Sequence, residues 1–193
     1  MSGDSSPYDA ARADGREALR RRLVHVASGV LERLGADGLS MRPLARAAGC
    51  STMVFYTEFT NKEGVLDALS SEAATTLLER IETVADVDLA AHRRLVAHAY
   101  LDAAFAAPEH YRVLFGRPLR GAAGAARRDL VATVRARVVD ALGGEHPDAE
   151  AEIRFGLWVA LHGAAVLALD AQISAEDARD AADLAVDAAM AAS

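Results

Sequence analysis

The chain has 193 residues, 52% of them apolar and only 5% aromatic, enough for one sizeable core or for a small domain fused to a larger one. Its many alanines and few runs of Val and Ile favour helices over sheet, and its single cysteine, Cys50, excludes an intramolecular disulfide and a multi-cysteine zinc site. The net charge of −7 argues against phosphate binding by the chain as a whole, but the acid is unevenly placed. Residues 1–66 hold nine Lys and Arg against eight Asp and Glu, whereas residues 67–193 hold twelve against twenty, so two functional units are expected. The N-terminus lacks the apolar core of a signal peptide, and no later stretch approaches the roughly 18 uncharged apolar residues of a membrane span. A soluble cytoplasmic protein with no membrane partner is expected.

Residues 1–13 are small, polar and turn-prone, and are expected to be a mobile arm carrying Arg12. From about Arg16, the apolar residues Leu19, Leu23, Val26, Val30, Leu31 and Leu34 recur at three and four, and Gly35 stops the helix. Ser40 is placed as an N-cap and Pro43 in the first turn, so a short helix is expected over Met41–Ala48. Gly49 supplies a turn, Ser51 a second N-cap, and Thr52 to Phe59 another short helix. Helix, tight glycine turn and helix make a helix-turn-helix candidate. Asn61, Lys62 and Glu63 then open a long connector helix on which Val65, Leu66, Leu69, Leu77, Leu78 and Ile81 keep helical spacing. The remaining helices are expected at 88–106, 108–116, 124–142, 148–171 and 175–191, separated by Pro108, Pro118, Gly143-Gly144 with Pro147, and Ser174. The fold expected is all-α, with a three-helix helix-turn-helix domain over 14–61 and a larger helical domain over 62–193.

With Phe55 set inward, Phe59 lies one turn on and faces the same way, which turns Thr52, Met53, Tyr56 and Thr57 outward to where a major groove can receive them. Ser51 can offer its hydroxyl and nearby backbone N–H groups to a phosphate, and Tyr56 its phenol. The segment CSTMVFYTEF itself has no cation. Positive charge is expected from Arg20, Arg21 and Arg22 on the first helix, Arg42 and Arg46 on the second, and Lys62, the only lysine. Glu58 can accept from a cytosine amino group or pair with a nearby arginine; the second reading is favoured because groove acids are uncommon.

The run ALRRRLVHVASGVLERLGADGLSMRPLARAAGCSTMVFYTEFTNKEGVLDAL resembles the DNA-binding region of the TetR/AcrR family of transcriptional regulators, through Gly35, Leu39-Ser40, Leu44-Ala45, Ala48-Gly49, Ser51, Phe55-Tyr56, Phe59 and Lys62-Glu63 at the family's spacing. The resemblance implies that Phe55 and Phe59 are core, that Tyr56 and Lys62 touch phosphates, and that Thr52, Met53, Val54 and Thr57 face bases or the nearby backbone. Thr52, often basic or polar in the family, and Glu58, often His or Tyr, depart from the pattern. The family's second unit usually dimerises and holds a small-molecule pocket.

Six of the ten Phe, Tyr and Trp residues fall between Tyr100 and Trp158, a concentration able to line a cavity or simply to fill the core. Trp158 and His162 share a helical face, and with Gly163 they resemble the Trp-His-Gly signature of a subgroup of TetR-like regulators. Gly156, Ala160 and Ala164 form a small-residue stripe, and the last two helices are expected to make a four-helix dimer seam. His98, Arg112, Trp158 and His162 are the pocket candidates. The histidines at 25, 92, 98, 110, 146 and 162 show no HExxH spacing, and no glycine-rich phosphate loop or assignable nucleophile is present, so no catalytic residue, metal or cofactor is expected. The function expected is a sequence-specific regulator, a homodimeric repressor of double-stranded operator DNA relieved by a small apolar effector. The alternative is an all-helical small-molecule-binding protein or enzyme without operator binding.

Overall fold

In the computed structural model the described residues are 6–84, 88–116, 121–143 and 151–192. Among them are nine α-helices and no strand, in two compact units, Met1–Leu69 and Ser70–Ser193. The expected separators Pro118, Gly144 and Pro147, and residues 1–5 of the expected arm, lie outside the described residues.

In the first unit α1 spans Pro7–Gly38, α2 Met41–Ala48 and α3 Thr52–Phe59. The start of α1 corrects the expected arm: Ser6 caps the helix by accepting from the Tyr8 N–H at 3.3 Å and Pro7 fills the first position, so residues 7–13 are helical turns. Gly35 interrupts α1 with φ 65°, ψ 174°, a backbone state that glycine adopts without strain. Leu23, Ala27, Val30 and Leu31 are buried beneath it, while Leu19 and Leu34 from the same apolar series stay exposed. Gly49 is left-handed at φ 65°, ψ 30°, and the Cys50 N–H returns to the Ala45 carbonyl at 3.0 Å, which closes α2 and starts α3 within a few residues. Leu39, Leu44, Phe55 and Phe59 fill the core, the two phenyl rings packing at 5.8 Å.

α4 spans Lys62–Glu82 and is shared by both units. The division falls after Leu69 instead of at 61/62, because Val65, Leu66 and Leu69 are buried and the apolar core of the second unit begins with Ala73 and Ala74. In the second unit α5 is Leu89–Ala106, α6 Pro108–Phe115, α7 Gly121–Ala141, α8 Ala151–Leu169 and α9 Ala175–Ala191. Its core joins Leu77 and Ile81 to Val96, Tyr100, Val134, Val138, Leu161 and Val186. Ala178, Ala182, Val186 and Ala189 give α9 a narrow buried stripe, and Ser174 with Asp177 closes a capping box at its start.

An antiparallel ladder sets the register of α5 against α9: Arg94 pairs with Asp187, His98 Nε2 with Asp183 at 3.0 Å, and Asp102 with Arg179 at 2.7 Å. Each step advances four residues on one helix and retreats four on the other, so the pairs fit only one alignment. They are partly exposed and contribute at most about 1 kcal/mol each, so burial of the alanine stripe supplies the larger stabilisation.

α8 is the most apolar helix among the described residues, although Glu152 and Arg154 fall within it. Its 19 residues reach a mean hydropathy of 1.4, long and apolar enough to cross a membrane by composition, although only 22% of that window is buried within the chain. Two kinds of apolar residue sum in this helix: Leu157, Leu161, Ala164 and Ala165 fill the core, while Phe155, Val159, Val166 and Leu167 stand exposed.

Candidate nucleic-acid interface and ligand cavity

The glycine turn leaves the start of α3 open. Ser51 has extended backbone and makes no side-chain cap bond, and its carbonyl accepts the Val54 N–H at 3.1 Å. Its hydroxyl and the Thr52 and Met53 N–H groups are left open at the helix start, an arrangement suited to an anion. Phe55 and Phe59 pin the opposite side, which leaves Met53 68% and Tyr56 49% exposed. Thr57 is exposed too, with its hydroxyl donating to the Met53 carbonyl at 2.9 Å, so it presents a methyl group and oxygen lone pairs. Thr52 is half-buried. Val54 is separated from this set: it lines an open groove of about 700 Å³ with Leu19, Arg22, Val26 and Cys50.

The cations divide into two groups. Arg16 Nε lies 3.3 Å from the Glu58 carboxylate, and Arg20 donates to the Glu58 carbonyl while its guanidinium stacks 4.5 Å from the centre of the Phe59 ring. These arginines, one turn apart on α1, clamp the C-terminal end of α3. Arg21 pairs with Glu17 on its own helix. In the free protein Arg20 and Arg21 are thus engaged within the chain, Arg21 by a surface pair alone. Arg42 and Arg46 are exposed on α2, and Arg22 on α1, with no ion pair among the described residues. Lys62 Nζ approaches the Asp37 carbonyl at 3.4 Å, the weakest of these bonds.

Glu58 is buried in its clamp, with a side chain only 7% exposed, so it takes the arginine-pairing reading. Two features of the α3–α4 junction were not singled out from the sequence. A Cβ on Gly64 would stand 2.0 Å from the Phe59 carbonyl oxygen, so the close approach of α4 to α3 needs a glycine. Thr60 holds φ 66°, unusual for a β-branched residue. The Arg16/Arg20 spacing of four was visible in the sequence, as was a glycine at the third position of a helix.

In the second unit a cavity of about 300 Å³ is lined by Tyr111, Arg112, Phe115, His162, Val166 and Leu169, among others. Behind it lies a buried polar network: Tyr111 Oη is 2.6 Å from His162 Nδ1 and 2.9 Å from Tyr100 Oη. Burial pushes both phenols far above their ordinary pKa and holds the His162 imidazole below its own, so the network is neutral at pH 7. Tyr111 Oη and His162 Nδ1 share one hydrogen bond, whose donor is set by the imidazole tautomer. Trp158 stacks on His162 at 5.5 Å, and its indole N–H is buried beside the Tyr100 hydroxyl without reaching hydrogen-bond geometry. Arg112 bonds Glu109 at 2.7 Å and the Leu169 carbonyl, which ties α6 to the end of α8.

Of the four pocket candidates, Arg112 and His162 line this cavity and Trp158 supports His162 from behind. His98 does not belong to it: its place in the α5–α9 ladder occupies Nε2 with Asp183. Tyr100 and Tyr111 were visible in the sequence only as aromatics, because nothing local marks their hydroxyls as partners of a histidine fifty residues away.

A glycine turn joining two short helices, with the outer face of the second open, defines the helix-turn-helix class of proteins, here joined to a larger helical unit. Residues 23–69 match the family model described as "Bacterial regulatory proteins, tetR family", and residues 94–190, about half of the chain, match "Tetracyclin repressor-like, C-terminal domain". The chain belongs to the TetR family of bacterial regulatory proteins. Neither description names the Trp-His-Gly subgroup.

The chain is 33% identical over 138 residues to the HTH-type transcriptional regulators Rv1816 of Mycobacterium tuberculosis and Mb1846 of Mycobacterium bovis, covering 67% of this chain and 56% of theirs. It thus spans little more than half the length of these relatives. Among solved structures, a protein with unknown function from Rhodococcus sp. RHA1 superposes with a TM-score of 0.71 at 27% identity, over 89% of this chain and 93% of that one. A tetR-family transcriptional regulator from Streptomyces coelicolor reaches 0.72 at 22% identity, over 91% and 82%, a likeness of fold.

Proposed function

We propose that the protein is a homodimeric repressor that reads double-stranded operator DNA with α3 and is released when a small, largely apolar effector enters the cavity of the second unit. The observation that carries the reading is the α3 face itself: Ser51, Met53, Tyr56 and Thr57 stand exposed over a Phe55/Phe59 anchor, flanked by Arg42 and Arg46, exposed and without an ion pair among the described residues. In this reading Thr52, Met53, Val54 and Thr57 face bases or the nearby backbone, and Ser51, Tyr56, Arg42 and Lys62 hold phosphates. The protein acts in the cytoplasm, where its DNA is.

The exposed Phe155, Val159, Val166 and Leu167 of α8 and Leu184 of α9 support a seam between two copies, since a soluble chain gains by covering such a face. The half-open, aromatic cavity supports a flat apolar effector whose one polar group is read by His162, and the Trp158–His162 stack supports the Trp-His-Gly subgroup. Gel shifts with the DNA upstream of its own gene test the reading. A retarded band that weakens steeply with salt is expected; no specific retardation at low salt with any upstream fragment, from a chain that forms dimers, would leave the helical small-molecule-binding alternative.

A further inference from the structure

Two arginines meet at the end of α7 with no carboxylate between them among the described residues. Arg93, on α5, is wholly buried. Its Nε donates to the Leu142 carbonyl at 3.1 Å, one residue beyond the Ala141 carbonyl that lies 2.9 Å from His92 Nε2. These two side chains cap the C-terminal carbonyls of α7, and the partial negative charge there offsets part of one guanidinium. Among the described residues Arg93 Nη1 meets only the thioether of Met190, at 3.2 Å, and Nη2 is buried with no partner.

Arg154, in the first turn of α8, adds a second charge. Its Nε is also buried without a partner among the described residues, and its guanidinium lies against the same backbone: a Cβ on Gly143 would come within 2.6 Å of Nη1. Burial and the positive charge of Arg154 both lower the pKa of Arg93. Among the described residues neither arginine has a carboxylate partner. A buried cation with open donors and a like-charged neighbour is costly, and the cost is relieved when an anion accepts from both.

We propose that Arg93 and Arg154 form a binding site for one oxyanion group, a carboxylate or phosphate, at the C-terminal end of α7. Two arginine forks beside a helix end suit a planar or tetrahedral oxyanion better than a halide. Arg154 is only half-buried, so the site is approached from its side. The site is separate in composition from the aromatic cavity and takes a charged group where that cavity takes an apolar one.

The test is thermal unfolding of the full chain in inorganic phosphate and in acetate, each against chloride at equal ionic strength. Near ten times the dissociation constant, the oxyanion should raise the melting temperature by roughly 3–5 °C. Arg154→Gln, at a part-exposed position that tolerates the change, should abolish the rise. Arg93→Lys should weaken it, since one point charge replaces a fork. The variant E145Q/D148N/E150Q separates two sources of the group: a rise in the wild type means a free anion, and a rise only in this variant means that a carboxylate of the chain holds the arginines. No rise in either chain, or an undiminished rise in Arg154→Gln, overturns the proposal.

Discussion

Replacing Gly64 by alanine isolates the contact that holds α4 against α3. The new Cβ would lie 2.0 Å from the Phe59 carbonyl oxygen and 3.0 Å from its carbon, whereas carbon and oxygen settle at about 3.3 Å. The junction must therefore open by more than about 1 Å. It has little slack, because Phe59 is buried and clamped by Arg20 while Thr60 already sits at positive φ. Overpacking of this kind costs about 1–3 kcal/mol, or roughly 3–10 °C in the melting temperature of a chain this size. Gly29→Ala is the control. Its Cβ meets nothing nearer than the Arg33 guanidinium at 3.5 Å in the middle of α1, so alanine should add about 0.5–1 kcal/mol. Urea unfolding followed by circular dichroism measures both. If Gly64→Ala unfolds within about 0.5 kcal/mol of the wild type, the account of the junction is refuted.

Glu58→Gln should cost no more than about 1 kcal/mol, because Arg16 is largely exposed, and should leave operator preference unchanged in a binding-site selection; an altered preference would put the carboxylate in the groove. Ser174→Ala removes the α9 capping box and should lower stability by about 1 kcal/mol in denaturant titrations. His162 is neutral when folded with its pKa below the ordinary 6.5, so the stability it contributes is present above pH 6.5 and is lost as pH falls through the folded value. A melting-temperature profile should drop on that acid limb, and His162→Gln should flatten it.

Legibility followed the range of the interaction. Gly35, Gly49, Ser51 and the Phe55/Phe59 pair were readable because caps, turns and one-turn spacings are local, and so were most helix bounds. The start of α1 was missed because a short polar segment with Ser6 and Pro7 reads equally as a coil or as a capped helix. Charge alone marks Arg20 as a candidate phosphate cation; the Glu58 carbonyl and the Phe59 ring that it meets in the free protein lie nearly forty residues on. His98 shows the same limit, since only the packing of α9 on α5 brings Asp183 to it. The apolar character of α8 was underread because the residues for its two faces are interleaved.

The central claim is that α3 reads DNA through its exposed face while flanking cations hold the backbone. Fluorescence anisotropy with a labelled fragment of the upstream DNA, across a salt series, tests it most directly for wild type, Tyr56→Ala and Arg42→Ala. The account predicts that Tyr56→Ala weakens binding at least about tenfold with the dimer intact, and that Arg42→Ala weakens it and flattens the salt slope by about one. Wild-type affinity and an unchanged slope in both variants would contradict it.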